Sequence, residues 1–400
     1  MNSPNTAIPR GQSRGQSRSK PGGIRAIARI AYRNLFHDRV SLAVTLTGIV
    51  FSVVLVAVQL GLYLSSERMI ATIFDHARGD IWIVPLGTKS FDDPTVLRGR
   101  EKEQAMAVPG VESTEDLVVG FAGWHKPNGG MTAVLLVGSS PATGGLAIWN
   151  VDEGRIADLA APSAVAVDRT YFADLGISRL GDTSEINGAR VSVRVVSNGI
   201  RSFTTLPYVF TNLQRARALL EVEATKSSYT LVRLRPGADV TSVKSALAAR
   251  FKDAEVLTRD EFRQRSVSYW LFQTGAGGAL IAGAILGIVV GTVIVAQTLY
   301  SSTKDHLNEF ATLRALGASA SYIHRVILIQ AILSSLIGYV LGLAVSLLIS
   351  LATRHTTLEI VMTPALAALL LALTVGMCVI SAMSAIFKVT RIDPATVFSR

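Results

Sequence analysis

Charged residues are missing from four long stretches of this 400-residue chain. The uncharged stretches cover residues 40–66, 266–303, 326–353 and 360–387, and each exceeds the roughly 20 apolar residues that cross a bilayer as a helix. Histidine is missing from them as well, although an ion-coupled pathway through a membrane normally needs ionisable side chains inside the spans. The pattern predicts an integral membrane protein and argues against a secondary transporter.

Cysteine is almost absent. The single cysteine, Cys378, lies within the last uncharged stretch. The long segment 65–270 therefore has no internal disulfide and must be stabilised by packing. Its length is sufficient for a hydrophobic core, so we expect a folded domain there.

Catalytic and nucleotide-binding motifs are also missing. The chain contains no His-Glu-x-x-His, no Cys-x-x-Cys and no Gly-x-x-x-x-Gly-Lys-Ser/Thr phosphate loop. The one Gly-x-Ser-x-Gly match, at 11–15, lacks the strand-to-helix turn of a nucleophile elbow, and the pair Asp92-Asp93 is typical of a solvated turn. The sequence predicts a non-catalytic chain without cofactor or metal of its own, so that ATP and Mg²⁺ would be bound by a partner ATPase.

Positive charge is unevenly distributed along the chain, whose formal net charge is +10. Residues 1–40 contain eight Lys and Arg against the single acid Asp38, whereas charges balance within 65–270. The remaining excess lies in 301–325 and 388–400. Because basic loops stay on the cytoplasmic side, we expect both termini in the cytoplasm and the domain outside it. The basic character then reflects membrane topology, and nucleic acid is not an expected partner.

The predicted fold class is a membrane protein with four transmembrane α-helices, one before and three after a large α+β extracytoplasmic domain. The predicted segments are a disordered basic tail (1–23), an amphipathic interfacial helix (24–39), the first span (40–64), the periplasmic α+β domain (65–270), the second span (271–300), a cytoplasmic coupling segment (301–325), the third span (326–352), a short periplasmic loop (353–360), the fourth span (361–387) and a cytoplasmic tail (388–400).

Hydrophobic alternation and turn residues predict seven strands and four helices in the domain, arranged in two lobes. The predicted strands are 80–84, 117–121, 132–137, 164–167, 191–196, 229–234 and 255–257, and the predicted helices are 101–107, 169–175, 212–220 and 240–249.

Glycines recur every four residues in two of the spans. Gly283, Gly287 and Gly291 form one series, and Gly338 and Gly342 form another. Such small residues allow helices to approach closely in a membrane. They predict helix-packing faces, either within one subunit or between two.

The segment that follows the second span has an amphipathic pattern. Phe310, Leu313 and Leu316 share one face of a short predicted helix, flanked by Glu309 and Arg314. A glycine at 317 suits the end of that helix. The pattern predicts a surface helix that docks on a cytoplasmic partner, with a simple re-entry turn as the alternative.

Two sequence runs in predicted cytoplasmic segments resemble a known family. Glu-Phe-Ala-Thr-Leu-Arg-Ala-Leu-Gly-Ala-Ser at 309–319 and Arg-Ile-Asp-Pro-Ala-Thr-Val-Phe at 391–398, with one span before and three after the domain, resemble the MacB/FtsX superfamily of ABC transporter permeases. The DevC type is the most similar branch. Its points of likeness are Ser-Tyr-Trp at 268–270, Gly-Thr-Val-Ile-Val at 291–295, Gln297, Leu-Tyr at 299–300, Asp-His-Leu at 305–307, Asp-Pro-Ala at 393–395 and the external run 199–211.

The resemblance implies a subunit of the bacterial inner membrane that dimerises and recruits two copies of a separate ATPase. It implies mechanotransmission, in which ATPase motion reaches the periplasmic domain, and export of an amphiphile such as a glycolipid with a periplasmic adaptor and an outer-membrane channel. The implied ATPase-coupling residues are Glu309, Phe310, Leu313, Arg314 and Gly317. The implied adaptor contacts are Arg201, Ser202, Phe203 and Pro207.

The sequence leaves three other interpretations open. An FtsX-like regulator of a cell-wall hydrolase and a lipoprotein-release permease would share the same topology. A sensor or scaffold without an ATPase would use only the membrane anchor and the domain.

Overall fold

The computed structural model describes residues 32–33, 36, 39–140, 145–305, 312, 319–354 and 356–390. In chain order its main elements are α1 (Arg39–His76), β1 (Ile81–Pro85), α2 (Glu101–Met106), β2 (Val111–His125), β3 (Met131–Ser139), β4 (Val151–Glu153), β5 (Ala164–Asp168), α3 (Phe172–Leu175), β6 (Thr183–Ile186), β7 (Ala189–Ser197), β8 (Tyr208–Asn212), α4 (Leu213–Leu219), β9 (Tyr229–Leu234), α5 (Val240–Arg250), β10 (Ala254–Thr258), α6 (Arg259–Ser268), α7 (Ala276–Asp305), α8 (Ala320–Thr353) and α9 (Pro364–Thr390).

Four of the described helices, α1, α7, α8 and α9, are long and apolar enough to cross a membrane. A mixed α/β domain, which we call the inserted domain, lies between α1 and α7. This confirms the predicted fold class of one span, a domain and three spans.

The ends of the spans differ from the limits set by hydropathy. Helix α1 continues to His76, beyond the predicted end at residue 64, because Ile73 and Phe74 keep the helical spacing and bury their side chains in the domain. The second span starts at Ala276, after a π-helical turn at Tyr269–Gln273 and Gly275, whose φ is +80°. Hydropathy marks the bilayer rather than the helix, so neither feature was visible in the uncharged stretches.

The strands of the inserted domain form a continuous sheet in the order β10-β1-β9-β2-β3-β8-β5-β7-β4, and β6 pairs with β2 and β7. The long strand β2 joins its two halves: residues 111–117 pair with β9, and residues 118–125 pair with β3. The β3–β8 and β5–β7 pairs are parallel, and the others are antiparallel. Strands of both kinds with few helices make an α+β domain.

Sequence reasoning missed four elements of this domain: β4, β6, β8 and α6. Helix α6 begins at a capping box in which Thr258 and Glu261 exchange side-chain to backbone hydrogen bonds of 2.8 and 3.2 Å. The spacing Thr-x-x-Glu is a helix-start signature that could have revealed α6. Strands β4 and β6 have three and four residues, too few for a clear alternation, and β8 is buried at four successive residues and so does not alternate.

Aromatic side chains form the centre of the largest core cluster. Phe74 of α1 lies 5.4 Å from Trp82 of β1 and 5.1 Å from Phe262 of α6, measured between ring centroids. Tyr229 lies 6.0 Å from Trp82, and Phe91 lies 5.6 Å from Tyr229. All five rings are buried, so the end of the first span and the helix preceding the second are part of the domain core.

The chain divides into two units. The domain unit contains the inserted domain and the adjoining ends of the spans, at 52–288 and 342–370. The span unit contains the described parts of 1–51, 289–341 and 371–400.

In the domain unit, the predicted packing glycines lie against the first span. A Cβ atom on Gly283 would come 2.7 Å from the side chain of Gln59, and one on Gly287 would come 3.1 Å from Val56. The Ser52 hydroxyl donates a 2.8 Å hydrogen bond to the Gly287 carbonyl. These glycines therefore face a neighbouring helix of the same chain.

The third span meets the first in the same way. A Cβ atom on Gly342 would come 2.8 Å from Val53 in the domain unit. Within the span unit, one on Gly338 would overlap Ile49. Gly291, the last of the predicted set, is buried.

We predict that Gly342→Ala destabilises the chain by about 1–3 kcal/mol, because the added methyl group overpacks the contact with Val53. The measurement is thermal unfolding of the detergent-solubilised chain. Gly376→Ala in the fourth span is the matched control, since a Cβ atom there meets nothing within 4 Å. Equal unfolding temperatures for the two variants would contradict the packing role of Gly342.

Candidate functional site at the base of the inserted domain

The loop between β7 and β8, residues 198–207, is held at its start by one buried carboxylate. Asp168 accepts 2.7 Å hydrogen bonds from the Ser197 hydroxyl and from the Ile200 backbone N–H. The Ser202 backbone N–H donates a 3.0 Å hydrogen bond to the Tyr171 hydroxyl. Asp168 is the last residue of β5, and Tyr171 lies in the turn that follows it. The sheet therefore determines the position of this segment, which we call the base loop.

Arg201 connects the base loop to the segment between the third and fourth spans. Its guanidinium forms an ion pair with Glu359 and donates a hydrogen bond to the Arg354 backbone carbonyl. The Arg201 side chain is only 13% exposed and that of Glu359 is 30% exposed. An ion pair this sheltered is screened less by solvent than a surface pair, and breaking it would leave a charge partly desolvated.

Phe203 connects the same loop to the segment that precedes the second span. Its ring centroid lies 5.4 Å from that of Trp270, in the π-helical turn. On the other side of this turn, the Lys89 ammonium lies 5.7 Å from the centre of the Tyr269 ring. The base loop thus contacts, within the domain unit, the segment that precedes the second span and the segment between the third and fourth spans.

The predicted adaptor contacts all lie in the base loop: Arg201, Ser202, Phe203 and Pro207. Ser202 and Pro207 are buried, and most of Arg201 is occupied by Glu359 and Arg354. Buried side chains are not available to a partner, because a partner binds the exposed surface. Phe203, which is half-buried, is the member of the set that keeps an accessible apolar surface.

The predicted ATPase-coupling residues lie outside the described residues. They are Glu309, Phe310, Leu313, Arg314 and Gly317. Their role stays a prediction from the sequence.

A buried acid is hydrogen-bonded to the residue that follows the base loop. Asp92 accepts a 2.7 Å hydrogen bond from the Tyr208 hydroxyl, at the start of β8. Burial raises the pKa of Asp92 to about 6, and the hydrogen bond from Tyr208 opposes that rise. Burial also raises the pKa of Tyr208 well above its usual value, so Tyr208 stays a hydrogen-bond donor. The expectation that Asp92 lies in a solvated turn is therefore wrong, since the Tyr208 side chain covers it.

The described residues contain no cluster of three or more metal-ligating side chains. The interactions of the base loop are ion pairs, ring contacts and hydrogen bonds between segments.

Comparison with known proteins places the chain in a family. A model of the MacB-like periplasmic core domain matches residues 42–250, and a model of the FtsX-like permease C-terminal domain matches residues 281–394. No curated protein sequence matches the chain.

Two solved domains are among the structures similar to this chain. The periplasmic region of MacB from Actinobacillus actinomycetemcomitans is 14% identical with a TM-score of 0.37, and the match covers 48% of this chain and 94% of that one. The extracellular domain of the ABC-type transporter YknZ from Gram-positive bacteria is 15% identical with a TM-score of 0.34, covering 45% and 99%.

The fold and the family models together define a multi-pass membrane protein of the ABC permease class, with an extracytoplasmic domain after the first span. Since the core-domain match covers more than half of its residues, the chain belongs to the MacB/FtsX superfamily of ABC transporter permeases. Permeases of this superfamily work with ABC ATPases and often dimerise.

We predict that Asp92→Asn makes the stability of the protein less dependent on pH. A carboxyl group whose pKa is raised on folding stabilises the fold fully below its unfolded value of 3.8, and this contribution is lost as the pH rises through about 6. The loss at neutral pH is on the order of 3 kcal/mol for a shift of this size. The amide of the substituted side chain would still accept the Tyr208 hydrogen bond without carrying charge.

The measurement is the unfolding temperature of the solubilised chain between pH 4 and pH 8. We expect Asp92→Asn to gain stability relative to the native chain as the pH rises. The neighbouring Asp93 is exposed, so Asp93→Asn is the matched control and should follow the native chain. A parallel pH dependence for Asp92→Asn and the native chain would contradict the prediction.

Proposed function

We propose that the chain is the transmembrane subunit of an ABC exporter that works by mechanotransmission. A separate ATPase binds the cytoplasmic segment 301–325, and its ATP-driven motion moves the spans and, through them, the inserted domain. In this proposal both termini are cytoplasmic, the domain is periplasmic and the membrane is the bacterial inner membrane. The charge distribution along the chain supports that orientation.

The observation that carries the proposal is the attachment of the domain to the spans. Phe74 at the end of α1 and Phe262 in α6 are both buried in the domain core, and their rings are 5.1 Å apart. Truncating a buried phenylalanine costs about 3–5 kcal/mol, so these are firm attachments. A movement of either span end would move the domain core with it.

The base loop adds a third attachment. Through Arg201 it is bonded to Glu359 and the Arg354 carbonyl, between the third and fourth spans. The inserted domain thus has side-chain contacts to the end of the first span, to the helix preceding the second and to the segment between the third and fourth. A ligand-binding domain on a flexible tether would need none of these contacts.

The likeness to DevC-type permeases supports a more specific role. We propose that two copies of the chain pair, and that a periplasmic adaptor and an outer-membrane channel complete the exporter. The substrate would be an amphiphile such as a glycolipid, collected from the periplasmic side. The partly exposed Phe203 is the accessible residue of the proposed adaptor contact.

We expect a Walker-motif ATPase to co-purify with the tagged, detergent-extracted chain, as identified by mass spectrometry. Arg314→Glu should allow membrane insertion but uncouple ATP hydrolysis from export, because it reverses a charge on the proposed coupling helix. Arg179→Glu is the matched control and should leave coupling unchanged, since Arg179 is an exposed arginine of the inserted domain, outside the segment 301–325.

Each part of this experiment has a contrary outcome. Reproducible absence of an ATPase from a well-folded preparation would overturn the permease proposal for this chain. Normal coupling in Arg314→Glu would remove the coupling role from that helix.

We predict that Arg201→Glu blocks movement of the domain while the ATPase remains bound, because two acids would face each other at the base loop. Adding Glu359→Arg to this variant should restore the movement by reversing the ion pair. The readout is the ATP-dependent change in fluorescence of a probe on the inserted domain. Since Cys378 is buried, a cysteine introduced at the exposed Asn128 can be labelled selectively.

Arg98→Glu is the control for this pair of variants. Arg98 is 77% exposed and pairs with Asp253 on the domain surface, so its reversal should leave the signal unchanged. A full signal in Arg201→Glu, or failure of the double variant in a folded complex, would show that the ion pair does not transmit movement.

A further inference from the structure

A cavity of about 360 Å³ lies in the domain unit beside the base loop. It is lined by the end of α1, the base loop, the end of α8 and the segment preceding α9. Sites for small molecules in proteins usually have volumes of about 300–1,000 Å³. The cavity is large enough for the headgroup of an amphiphile.

The charged lining of this cavity is mostly basic. Arg68, Arg201 and Arg354 contribute three positive charges, and Glu359 contributes one negative charge. Glu359 is already paired with Arg201. The remaining lining is therefore complementary to an anion.

Two of these arginines are available for a ligand. The side chains of Arg68 and Arg354 are exposed, and neither guanidinium has a hydrogen-bond or ion-pair partner among the residues that the structure describes. Arginine presents a planar set of donors that matches phosphate geometry. Two free guanidinium groups in one cavity favour a phosphate over a neutral group.

Arg201 contributes a further donor. Its Nε atom is buried and has no hydrogen-bond partner within the described part of the chain, although the two terminal nitrogens are bonded to Glu359 and to the Arg354 carbonyl. An unsatisfied buried donor costs free energy that a bound acceptor would recover. The guanidinium is held in place by the protein before any ligand arrives.

The position of the cavity along the spans indicates the source of the phosphate. Arg68 follows the first uncharged stretch by two residues, and Arg354 directly follows the third. Glu359 directly precedes the fourth. Charged residues that directly flank a membrane span lie at the headgroup level of the bilayer. Arginine side chains at this level interact with lipid phosphates.

We propose that this cavity binds the phosphate-bearing headgroup of a bilayer amphiphile, whose apolar tail stays among the spans. Arg68 and Arg354 bind the phosphate, and the Nε–H of Arg201, whose guanidinium is held in place by Glu359, is the further donor. This assignment rests on the proposed export function and names the chemical class of its substrate. A ligand in this cavity would contact the Arg201–Glu359 ion pair, which attaches the base loop to the segment between the third and fourth spans.

The experiment measures binding of dioctanoyl phosphatidylglycerol to the full chain in a neutral detergent, by thermophoresis. Dioctanoylglycerol, which has no phosphate, and inorganic phosphate, which has no tail, are measured in parallel. We expect saturable binding of the phospholipid, with much weaker binding of the other two probes.

Arg68→Gln combined with Arg354→Gln should raise the Kd for the phospholipid about tenfold or more, since each removes a charge-assisted interaction. Arg78→Gln is the matched control, because Arg78 is exposed, has no partner among the described residues and does not line the cavity. It should leave the Kd unchanged. If the double variant fails to fold, the two single variants replace it and each should raise the Kd severalfold.

Three results would overturn the proposal. An unchanged Kd in the arginine variants would show that the cavity is not the site. Equal binding of dioctanoylglycerol would show that the phosphate is not recognised, and equal binding of inorganic phosphate would assign the cavity to a free anion. Because the assay needs no ATPase, its failure is separate from failure of the co-purification experiment, which tests the exporter itself.

Discussion

The aromatic contact between Phe74, Trp82 and Phe262 is the interaction on which the rest of this structure depends. Phe74 belongs to the helix of the first span, and Phe262 belongs to the helix preceding the second. Their rings meet in the largest core cluster of the domain, so the domain cannot complete its core without the two chain segments that enter the membrane. Burying each of these rings contributes about 1.5–3 kcal/mol, which makes the connection part of the fold rather than a linker.

The base loop extends this connection to the other spans. Asp168 and Tyr171 hold the loop from the sheet, and Arg201 in turn bonds to the segment between the third and fourth spans. The same arginine lines the cavity that we assign to a phosphate headgroup. One residue thus belongs both to the attachment of the domain and to the proposed substrate site, which offers a physical route by which a ligand could affect coupling.

Sequence reasoning located the spans, whereas the contacts of the base loop depend on residues far apart in the chain. Long uncharged stretches are a strong signal because a charge in the bilayer is costly, so all four spans could be predicted. Strands with a longer run of apolar and β-branched residues, such as β9 at Tyr229–Leu234, were also predictable. The role of Arg201 was not, because Glu359 lies 158 residues away and no local pattern relates them. Ser202 and Pro207 look like loop residues in the sequence, but in the fold they are buried and hydrogen-bonded to Tyr171 and to Leu135 of β3.

The sequence by itself determined that this chain spans a membrane four times and carries a disulfide-free α+β domain after the first span, and that its 400 residues contain no phosphate loop. These properties follow from composition and local periodicity, which each segment carries independently of the others. The tertiary structure alone decided where α1 ends, which glycines face the first span, how Asp92 becomes buried and which arginines share a cavity. Those properties depend on contacts between residues far apart in the chain, and such contacts arise only when the core closes.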